Sequence, residues 1–218
     1  MNGSGRDARD AIFENIRSSL RRDALDTVAA AALDLRIAHA PRHTRPALRD
    51  DLVTQLVEKF QARGGSVASL ARLDELPAMV SSYLAENDLP GRIALAEPLS
   101  GLAWPAHIER RSDAAGRGDL VAVSVCIMGI AETGSLLFCS GPDSPTTHNF
   151  VPDHHIVVLR RGDIVRHLED AWAQLRQRDG GMPRAVNIVS GPSRTGDIEQ
   201  TIQLGAHGPR RVHVLMCD

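Results

Sequence analysis

Apolar runs alternate with amphipathic stretches along most of the chain. The continuous run 121–127 predicts a strand buried on both faces, and the apolar spacing of four in 47–61 predicts a helix. The remaining pattern predicts strands over 66–70, 92–96, 156–159, 184–189 and 212–216, and helices over 73–84 and 164–176. Strands that alternate with helices are typical of βαβ units, so we expect an α/β fold with a parallel-rich sheet.

The first part of the chain has a different pattern. Residues 6–38 predict helix, with a narrow apolar stripe and a break near Asp23. The proline-containing segment 40–46 predicts a linker. We therefore divide the chain into an N-terminal helical arm with its linker, 1–45, and a main domain, 46–218. The arm is expected to dock on another chain or to fold loosely over the domain, and the alternative is a frayed terminus.

A short polar segment separates two apolar β-like runs between residues 128 and 139. The pattern predicts a tight hairpin with Glu132 near its apex. Its neighbours Thr133, Gly134 and Ser135 supply two hydroxyl groups and a bend. A carboxylate on a rigid turn can act as a base, a nucleophile or a hydrogen-bond acceptor. The alternative is an exposed acid at an ordinary hairpin tip.

A second group of small residues follows the run 184–189. A strand that turns into an amphipathic helix is predicted here, and the turn reads Ser190, Gly191, Pro192, Ser193, Arg194, Thr195. The open N–H groups and the dipole of a helix start favour anions, and Arg194 adds a fork of donors. Ser193 or Thr195 is the expected cap, with the acidic residues of 197–199 in the first turn. The alternative is a plain turn, which the same small residues suit.

Composition narrows the class of function. The chain has 218 residues, 43% of them hydrophobic, which is enough to bury a core. A net charge of −2 and an aromatic content of 3% argue against a nucleic-acid-binding surface. No apolar run approaches the ~20 residues of a membrane helix, and the first residues lack the apolar region of a signal peptide. We therefore expect a cytoplasmic protein.

The sequence offers little metal or cofactor chemistry. Its three cysteines include no CxxC pair, so we expect no iron–sulfur cluster, zinc site or other cofactor in this chain, and Cys126 is interpreted as a buried apolar residue. His148, His154 and His155 match no standard ligand spacing and are interpreted as one loop histidine and two at the start of a strand. Lys59, the single lysine, is expected on the solvated side of a helix, which argues against Schiff-base chemistry.

Two segments of the sequence resemble the LUD domain family. They are the hairpin segment 129–136, which reads Gly-Ile-Ala-Glu-Thr-Gly-Ser-Leu, and the segment 190–199, which reads Ser-Gly-Pro-Ser-Arg-Thr-Gly-Asp-Ile-Glu. The strand start at 152–158 and the ending 204–214 match as well, and the resemblance is clear over 90–218. It implies a fold like the NagB/RpiA/CoA-transferase group, in which a parallel-rich sheet lies between helices in a three-layer α/β/α arrangement.

The resemblance also implies a role in the oxidation of L-lactate to pyruvate. The chain would be the non-redox member of a three-protein system whose other members are iron–sulfur proteins. A cleft formed by 132–135, 190–195 and 207–208 is expected to hold a small anion, and Glu132 or His207 is expected to handle a proton. The expected ligand-binding residues are Thr133, Gly134, Ser135, Ser190, Gly191, Ser193, Arg194, Thr195 and Gly208.

Two alternatives stand beside this expectation. In similar CoA-transferases a glutamate acts as the nucleophile, so the chain is alternatively a free-standing acyl- or CoA-transferring enzyme that uses Glu132 covalently. It is alternatively a structural scaffold whose helices in 6–38 grip a partner. Similar sugar-phosphate isomerases tend to use a lysine, which this chain lacks outside Lys59, and this weakens an isomerase interpretation.

Overall fold

The computed structural model describes residues 4–21, 23, 25–39, 44–179, 181–196 and 202–218. The chain divides into two compact units, Met1–Arg45 and Pro46–Asp218. The helices are numbered through the whole chain, and those of the second unit are α3 (Leu52–Ala62), α4 (Leu76–Glu86) and α5 (Leu168–Arg176). Its strands are β1 (Ser66–Ser69), β2 (Arg92–Leu95), β3 (Glu109–Arg111), β4 (Val121–Val125), β5 (Met128–Ile130), β6 (Ser135–Cys139), β7 (His154–Arg160), β8 (Ile164–Val165), β9 (Val186–Val189), β10 (Arg194–Gly196), β11 (Ile202–Leu204) and β12 (Arg211–Cys217).

The first unit contains α1 (Ser4–Leu20) and α2 (Thr27–Ala38). The helical segment predicted over 6–38, with a break near Asp23, is therefore present as two helices. Asp26 separates them because its Oδ1 accepts a hydrogen bond from the Ala29 N–H at 2.7 Å and caps α2. A search of the described residues finds no helix whose length and apolar character would let it cross a membrane.

A parallel sheet forms the centre of the second unit. Six strands lie in the order β1-β12-β7-β4-β2-β3 within the described residues, and every neighbouring pair is parallel. The first and the last strand of the chain, β1 and β12, are neighbours in this sheet, although 141 residues lie between Ser69 and Arg211 in the sequence. The parallel-rich α/β sheet predicted from the apolar runs is confirmed.

A smaller sheet packs on one face of the parallel sheet. It has the order β8-β5-β6-β9, with β5 and β6 antiparallel, so the predicted hairpin is confirmed. Leu136 and Phe138 of β6 share a buried cluster with Val157 and Leu159 of β7. The side chains of β5 that face the other way pack on α5, where Leu175 is fully buried. The sequence did not predict this second sheet.

Helices cover both faces of the parallel sheet. On one face α4 buries Leu76, Val80 and Leu84 against strand residues such as Ile93 and Val123. On the other face α3 packs beside the small sheet through Leu56 and Phe60, which are fully buried. The expected arrangement of a parallel-rich sheet between helices is confirmed, with the small sheet added to the layer of α3 and covered on its outside by α5.

Three predicted helices begin later than expected. The helix expected from 73 begins at Leu76, after a 3-10 turn at Leu73–Glu75. The helix expected from 47 begins at Leu52, because Asp51 caps it by accepting a hydrogen bond from the Thr54 N–H at 3.0 Å. The helix expected from Ile164 begins at Leu168, since Ile164 and Val165 form β8 instead. Both of these residues are β-branched, and they extend the small sheet by pairing with β5.

The helix predicted after Ser193 is wrong. Arg194–Gly196 forms β10, which pairs antiparallel with β11 at Ile202–Leu204. The Ser193 N–H donates to the Pro209 carbonyl at 2.8 Å, and the Gly205 N–H donates to the Ser193 carbonyl at 3.0 Å. The backbone groups of Ser193 are therefore bonded to the segment between β11 and β12. The described part of the segment after Ser193 contains no helix start with open N–H donors. The expected acidic residues of 197–199 lie outside the described residues.

Candidate functional site

Three hydroxyl groups join the β5–β6 hairpin to the end of β9. The Thr133 Oγ1 lies 2.7 Å from the Ser135 Oγ, which lies 2.5 Å from the Ser190 Oγ. Ser135 and Ser190 meet because Leu136 pairs with Val189 in the ladder between β6 and β9. Ser135 is 1% exposed, whereas Thr133 and Ser190 are half-buried and reach solvent. We call Thr133, Ser135 and Ser190 the hydroxyl row.

The C-terminal end of α3 supplies two cations beside the hydroxyl row. The Lys59 ammonium donates to the Glu132 carbonyl, and the Arg63 Nη1 donates to the Thr133 carbonyl at 2.6 Å. Lys59 is half-buried, so its expected position on the solvated side of the helix is wrong. Both contacts bring positive charge to the backbone of the hairpin turn, next to the hydroxyl groups.

Gly134 allows this close approach of the hairpin to α3. Its φ is +62°, and a Cβ built on it would lie 2.5 Å from the Lys59 Cβ and 2.8 Å from the Phe60 backbone nitrogen. Any other residue would collide with the helix backbone, and its positive φ would be a backbone conformation that residues with a Cβ disfavour. Glycine at this position therefore sets the distance between the hydroxyl row and the end of α3.

The Glu132 carboxylate contacts the start of α5. Its Oε2 accepts hydrogen bonds from the His167 Nδ1–H and from the Leu168 N–H, both at 3.2 Å. The side chain is 22% exposed, and the Asp170 Oδ2 accepts from the His167 N–H at 3.1 Å on the other side of the same helix start. A carboxylate at this position satisfies an open helix donor and complements the helix dipole. The expected roles of base and nucleophile would require Glu132 to leave these partners.

The segment after β9 lies beside the end of α3. Gly191 has a φ of +107°, and its Cβ would lie 3.2 Å from the Arg63 carbonyl. The Arg194 guanidinium lies against Gly64 in the turn between α3 and β1. Arg194 therefore contacts the turn after α3, and it is exposed on β10 and not at the start of a helix.

The loop at 205–209 closes the other side of Ser193. The His207 N–H donates weakly to the Ser193 Oγ at 3.4 Å, and a Cβ on Gly208 would lie 3.3 Å from the Ser193 Cβ. The His207 side chain is exposed. Thr195 lies on β10 opposite Gln203. The expected segments 132–135 and 190–195 therefore both contact the end of α3 or the turn after it, and the third expected segment, 207–208, contacts Ser193.

A protein-family model matches most of the second unit. The model described as the LUD domain matches residues 53–217, which include α3, both sheets and the hydroxyl row. The chain belongs to the LUD domain family.

Several relatives of this LUD domain chain share long stretches of sequence with it. A protein named lactate utilization protein C from Exiguobacterium sp. is 30% identical over 68% of this chain and 69% of its own length. The protein of the same name from Shouchella clausii is 24% identical over 96% of this chain and 97% of its own length. An uncharacterized protein, NMB1437, from Neisseria meningitidis serogroup B is 38% identical over 40% of this chain and 37% of its own length.

A solved structure has a fold similar to that of this LUD domain. The crystal structure of a DUF162 family protein from Deinococcus radiodurans superposes with a TM-score of 0.57 and covers 79% of this chain and 100% of that chain. The sequences are 19% identical, so the similarity supports the α/β fold.

Several cysteines and histidines of the LUD domain are buried. Burial raises the pKa of the Cys126, Cys139 and Cys217 thiols. His148 Nε2 lies 3.1 Å from the Asp113 carbonyl, and His155 Nε2 lies 2.6 Å from the Ser124 Oγ. Among the described residues, no group of three or more histidine, cysteine or acidic side chains is arranged to hold a metal ion.

Three residues of the candidate site were not predicted for it, namely Lys59, Arg63 and His167. Lysine and arginine in the last turn of a helix commonly bond nearby carbonyls, so the position of Lys59 and Arg63 at the end of a predicted helix was the available signal. His167 precedes Leu168-Glu169-Asp170, a spacing that resembles a capping box. That signal was hidden because the helix was predicted to start earlier, at Ile164.

Proposed function

We propose that this LUD domain chain is the non-redox component of an L-lactate utilisation system and that it binds a small anion at the hydroxyl row. The observation that carries the proposal is the convergence of the hairpin turn, the end of β9 and the cationic end of α3 at Thr133, Ser135 and Ser190. The names of the Exiguobacterium and Shouchella relatives support the metabolic role.

The chemistry of the site suits a carboxylate. Hydroxyl groups rotate to donate, so the row can be ordered with Thr133 donating to Ser135, Ser135 donating to Ser190 and Ser190 turning its proton toward an anion. The Arg63 guanidinium has further donors beside its bond to the Thr133 carbonyl, and charge-assisted bonds to a carboxylate are stronger than neutral ones. Oxidation of lactate to pyruvate removes two electrons and two protons, and we assign electron acceptance to the iron–sulfur partner proteins.

Reconstitution tests the proposed function directly. The full chain is purified alone and together with the iron–sulfur proteins of a lactate utilisation system, and L-lactate-dependent reduction of a dye is measured. We expect full activity only when all components are present. Dye reduction by this chain alone, or activity of the partners that is indifferent to this chain, would contradict an accessory role.

A matched pair of serine variants tests the hydroxyl row in the same assay. We expect Ser190→Ala to lower the activity of the reconstituted system about tenfold, the effect of losing about 1.4 kcal/mol of hydrogen bonding to a charged group. Ser112→Ala removes an exposed hydroxyl in the segment between β3 and β4 and serves as the control. Equal activity of both variants would remove the hydroxyl row from the function.

The acyl-transfer alternative predicts a different result at Glu132. A covalent carboxylate nucleophile cannot be replaced by an amide, so Glu132→Gln would abolish turnover. In the accessory role that we propose, Glu132→Gln keeps substantial lactate-dependent activity, because an amide oxygen can still accept the Leu168 N–H.

A further inference from the structure

A cavity lies where α4 crosses the first residues of β1 and β12, on the face of the parallel sheet opposite to the small sheet. Its volume is about 650 Å³, which is within the range of small-molecule sites. The α4 side is lined by Met79, Ser82, Tyr83, Glu86 and Asn87, and the sheet side by Ser66, Ala68, Arg211 and His213. The proposed function uses none of these residues, although Arg211 and His213 lie in the segment 204–214 that resembles the LUD family.

His213 lines this cavity and is bonded through one of its two ring nitrogens. Its Nδ1 lies 2.8 Å from the Ser66 Oγ, and no group in the described part of the chain bonds its Nε2. Burial lowers the pKa of His213, opposed by the negative charge of Glu86, so the ring is held neutral. When the serine hydroxyl donates to Nδ1, the proton of the neutral ring lies on Nε2, which becomes a donor toward the cavity.

Tyr83 fixes the orientation of the His213 ring. The two rings are stacked with centroids 5.0 Å apart, and the Tyr83 hydroxyl lies 3.0 Å from the His154 Nδ1. Burial raises the pKa of Tyr83, so its hydroxyl remains protonated and able to donate to His154. Tyr83 and His213 therefore form one wall of the cavity together.

Charged groups of both signs face the cavity. The Arg211 Nη1 donates to the Asn87 Oδ1 at 2.5 Å, which aligns the guanidinium and leaves its other donors without a partner among the described residues. Glu86 provides a carboxylate on the α4 side. The Arg194 guanidinium lies against Gly64 at the rim. A ligand that matches this set needs a carboxylate for Arg211 and a hydrogen-bond donor for Glu86.

We propose that this cavity binds a small carboxylic acid that carries a hydroxyl or amino group next to the carboxylate. Arg211 holds the carboxylate, the His213 Nε2–H donates a second bond to it, and Glu86 accepts from the neighbouring hydroxyl or amino group. Tyr83 and Asn87 are positioning residues. The site is distinct from the hydroxyl row and does not depend on the proposed function.

Titration of the full chain with three acids tests the proposal, using calorimetry with L-lactate, L-alanine and propionate. We expect saturable binding of L-lactate, of L-alanine or of both, and binding of propionate about tenfold weaker because it lacks the donor for Glu86. Whichever of the first two acids binds more tightly identifies the neighbouring group. If neither binds at about 50 mM, well above the usual range for small-molecule sites, the proposal is overturned.

Two matched pairs of variants locate the binding. Arg211→Gln should weaken the affinity at least about tenfold, whereas Arg210→Gln, which alters the adjacent arginine outside the cavity lining, should stay within about twofold. Ser82→Trp should fill the cavity and abolish binding, whereas Ala85→Trp places the same ring on the exposed side of α4 and should not. Thermal unfolding checks that each variant is folded. Equal effects within either pair would mean that the acids bind elsewhere.

Discussion

At the scale of single residues, the contacts of Glu132 determine the effect of its substitution. Its carboxylate accepts the Leu168 N–H and the His167 Nδ1–H at the start of α5. Glu132→Ala removes both bonds and leaves a half-buried helix donor open, so we expect a loss of about 1–2 kcal/mol in the free energy of unfolding. Denaturation by urea measures this loss.

Glu169 offers a matched control for that measurement. It also lies in the first turn of α5, but it is exposed. Glu169→Ala should change the free energy of unfolding by less than about 0.5 kcal/mol. Equal losses for Glu132→Ala and Glu169→Ala would show that the general charge of the helix start, and not the specific contact, is what stabilises α5.

His155 makes the stability of the protein depend on pH. It is fully buried, and burial together with the nearby His148 lowers its pKa to about 3. In the unfolded chain the pKa of histidine is ~6.5, so the unfolded state binds more protons between the two values. Stability from His155 is fully present above about pH 6.5 and decreases by up to about 1.4 kcal/mol per pH unit as the pH falls toward 3.

Unfolding measured between pH 7.5 and 5, a range set by the ordinary pKa of histidine, checks this expectation. We expect His155→Gln to be less stable than the native chain at neutral pH, because the buried contact with Ser124 changes, but to lose less stability on acidification. The exposed His39→Gln should keep the native pH dependence. A native slope in the His155 variant would show that other groups cause the acid sensitivity.

At the scale of secondary-structure elements, the packing of the β5–β6 hairpin on α3 depends on Gly134. A methyl group there would collide with the Phe60 backbone nitrogen, which cannot rotate away as a side chain can. We expect Gly134→Ala to lower the free energy of unfolding by about 2 kcal/mol or more, from the collision and the positive φ together. Gly162→Ala is the control, because a Cβ there meets nothing within 4 Å. Thermal unfolding of the two variants should differ clearly, and similar values would contradict the close approach.

The apolar pattern predicted the elements that are buried on both faces better than those at the margins. β4 and β7 carry continuous apolar runs because both faces of the central strands are covered. β8 is two residues long and pairs with β5, more than 30 residues earlier in the chain, and β10 is three residues long and pairs with β11. The local pattern could not separate such short strands from helix starts. The wrong helix after Ser193 has this cause.

The same limit applies to the candidate site. The sequence indicated that Thr133, Ser135 and Ser190 belong together, and the antiparallel pairing of β6 with β9 brings the two serines into contact. The sequence did not indicate where the Glu132 side chain points. Its partners belong to the start of α5, where His167 lies 35 residues further along the chain. Composition at a turn predicts which groups are present, whereas the choice of partner depends on tertiary packing.

At the scale of the whole molecule, the two units are expected to differ in their need for a partner. Large apolar side chains are exposed on α1 and α2, including Leu20 at 62% and Val28 at 78%. The second unit has its own buried clusters on both faces of the parallel sheet. We expect the fragment 46–218 to unfold cooperatively within about 3 °C of the full chain, as measured by calorimetry.

Association of the chain tests the role of the arm. Exposed apolar surface favours self-association or docking, so the full chain should associate more strongly with itself or with the iron–sulfur proteins than 46–218 does. Sedimentation and co-purification measure this. If 46–218 co-purifies with those proteins as well as the full chain does, the arm is not the contact and the scaffold interpretation fails.

The single lysine of the chain offers a practical consequence. Because Lys59 is the one lysine of the sequence, its ε-amine is the one side-chain amine that an amine-selective reagent or an isotope-labelled lysine would report on, and it bonds the Glu132 carbonyl beside the hydroxyl row. Apart from the α-amine, a chemical probe introduced in this way would sit at the hairpin turn without any engineered cysteine. Protection of that amine when lactate is added would give a direct signal of occupancy at this turn.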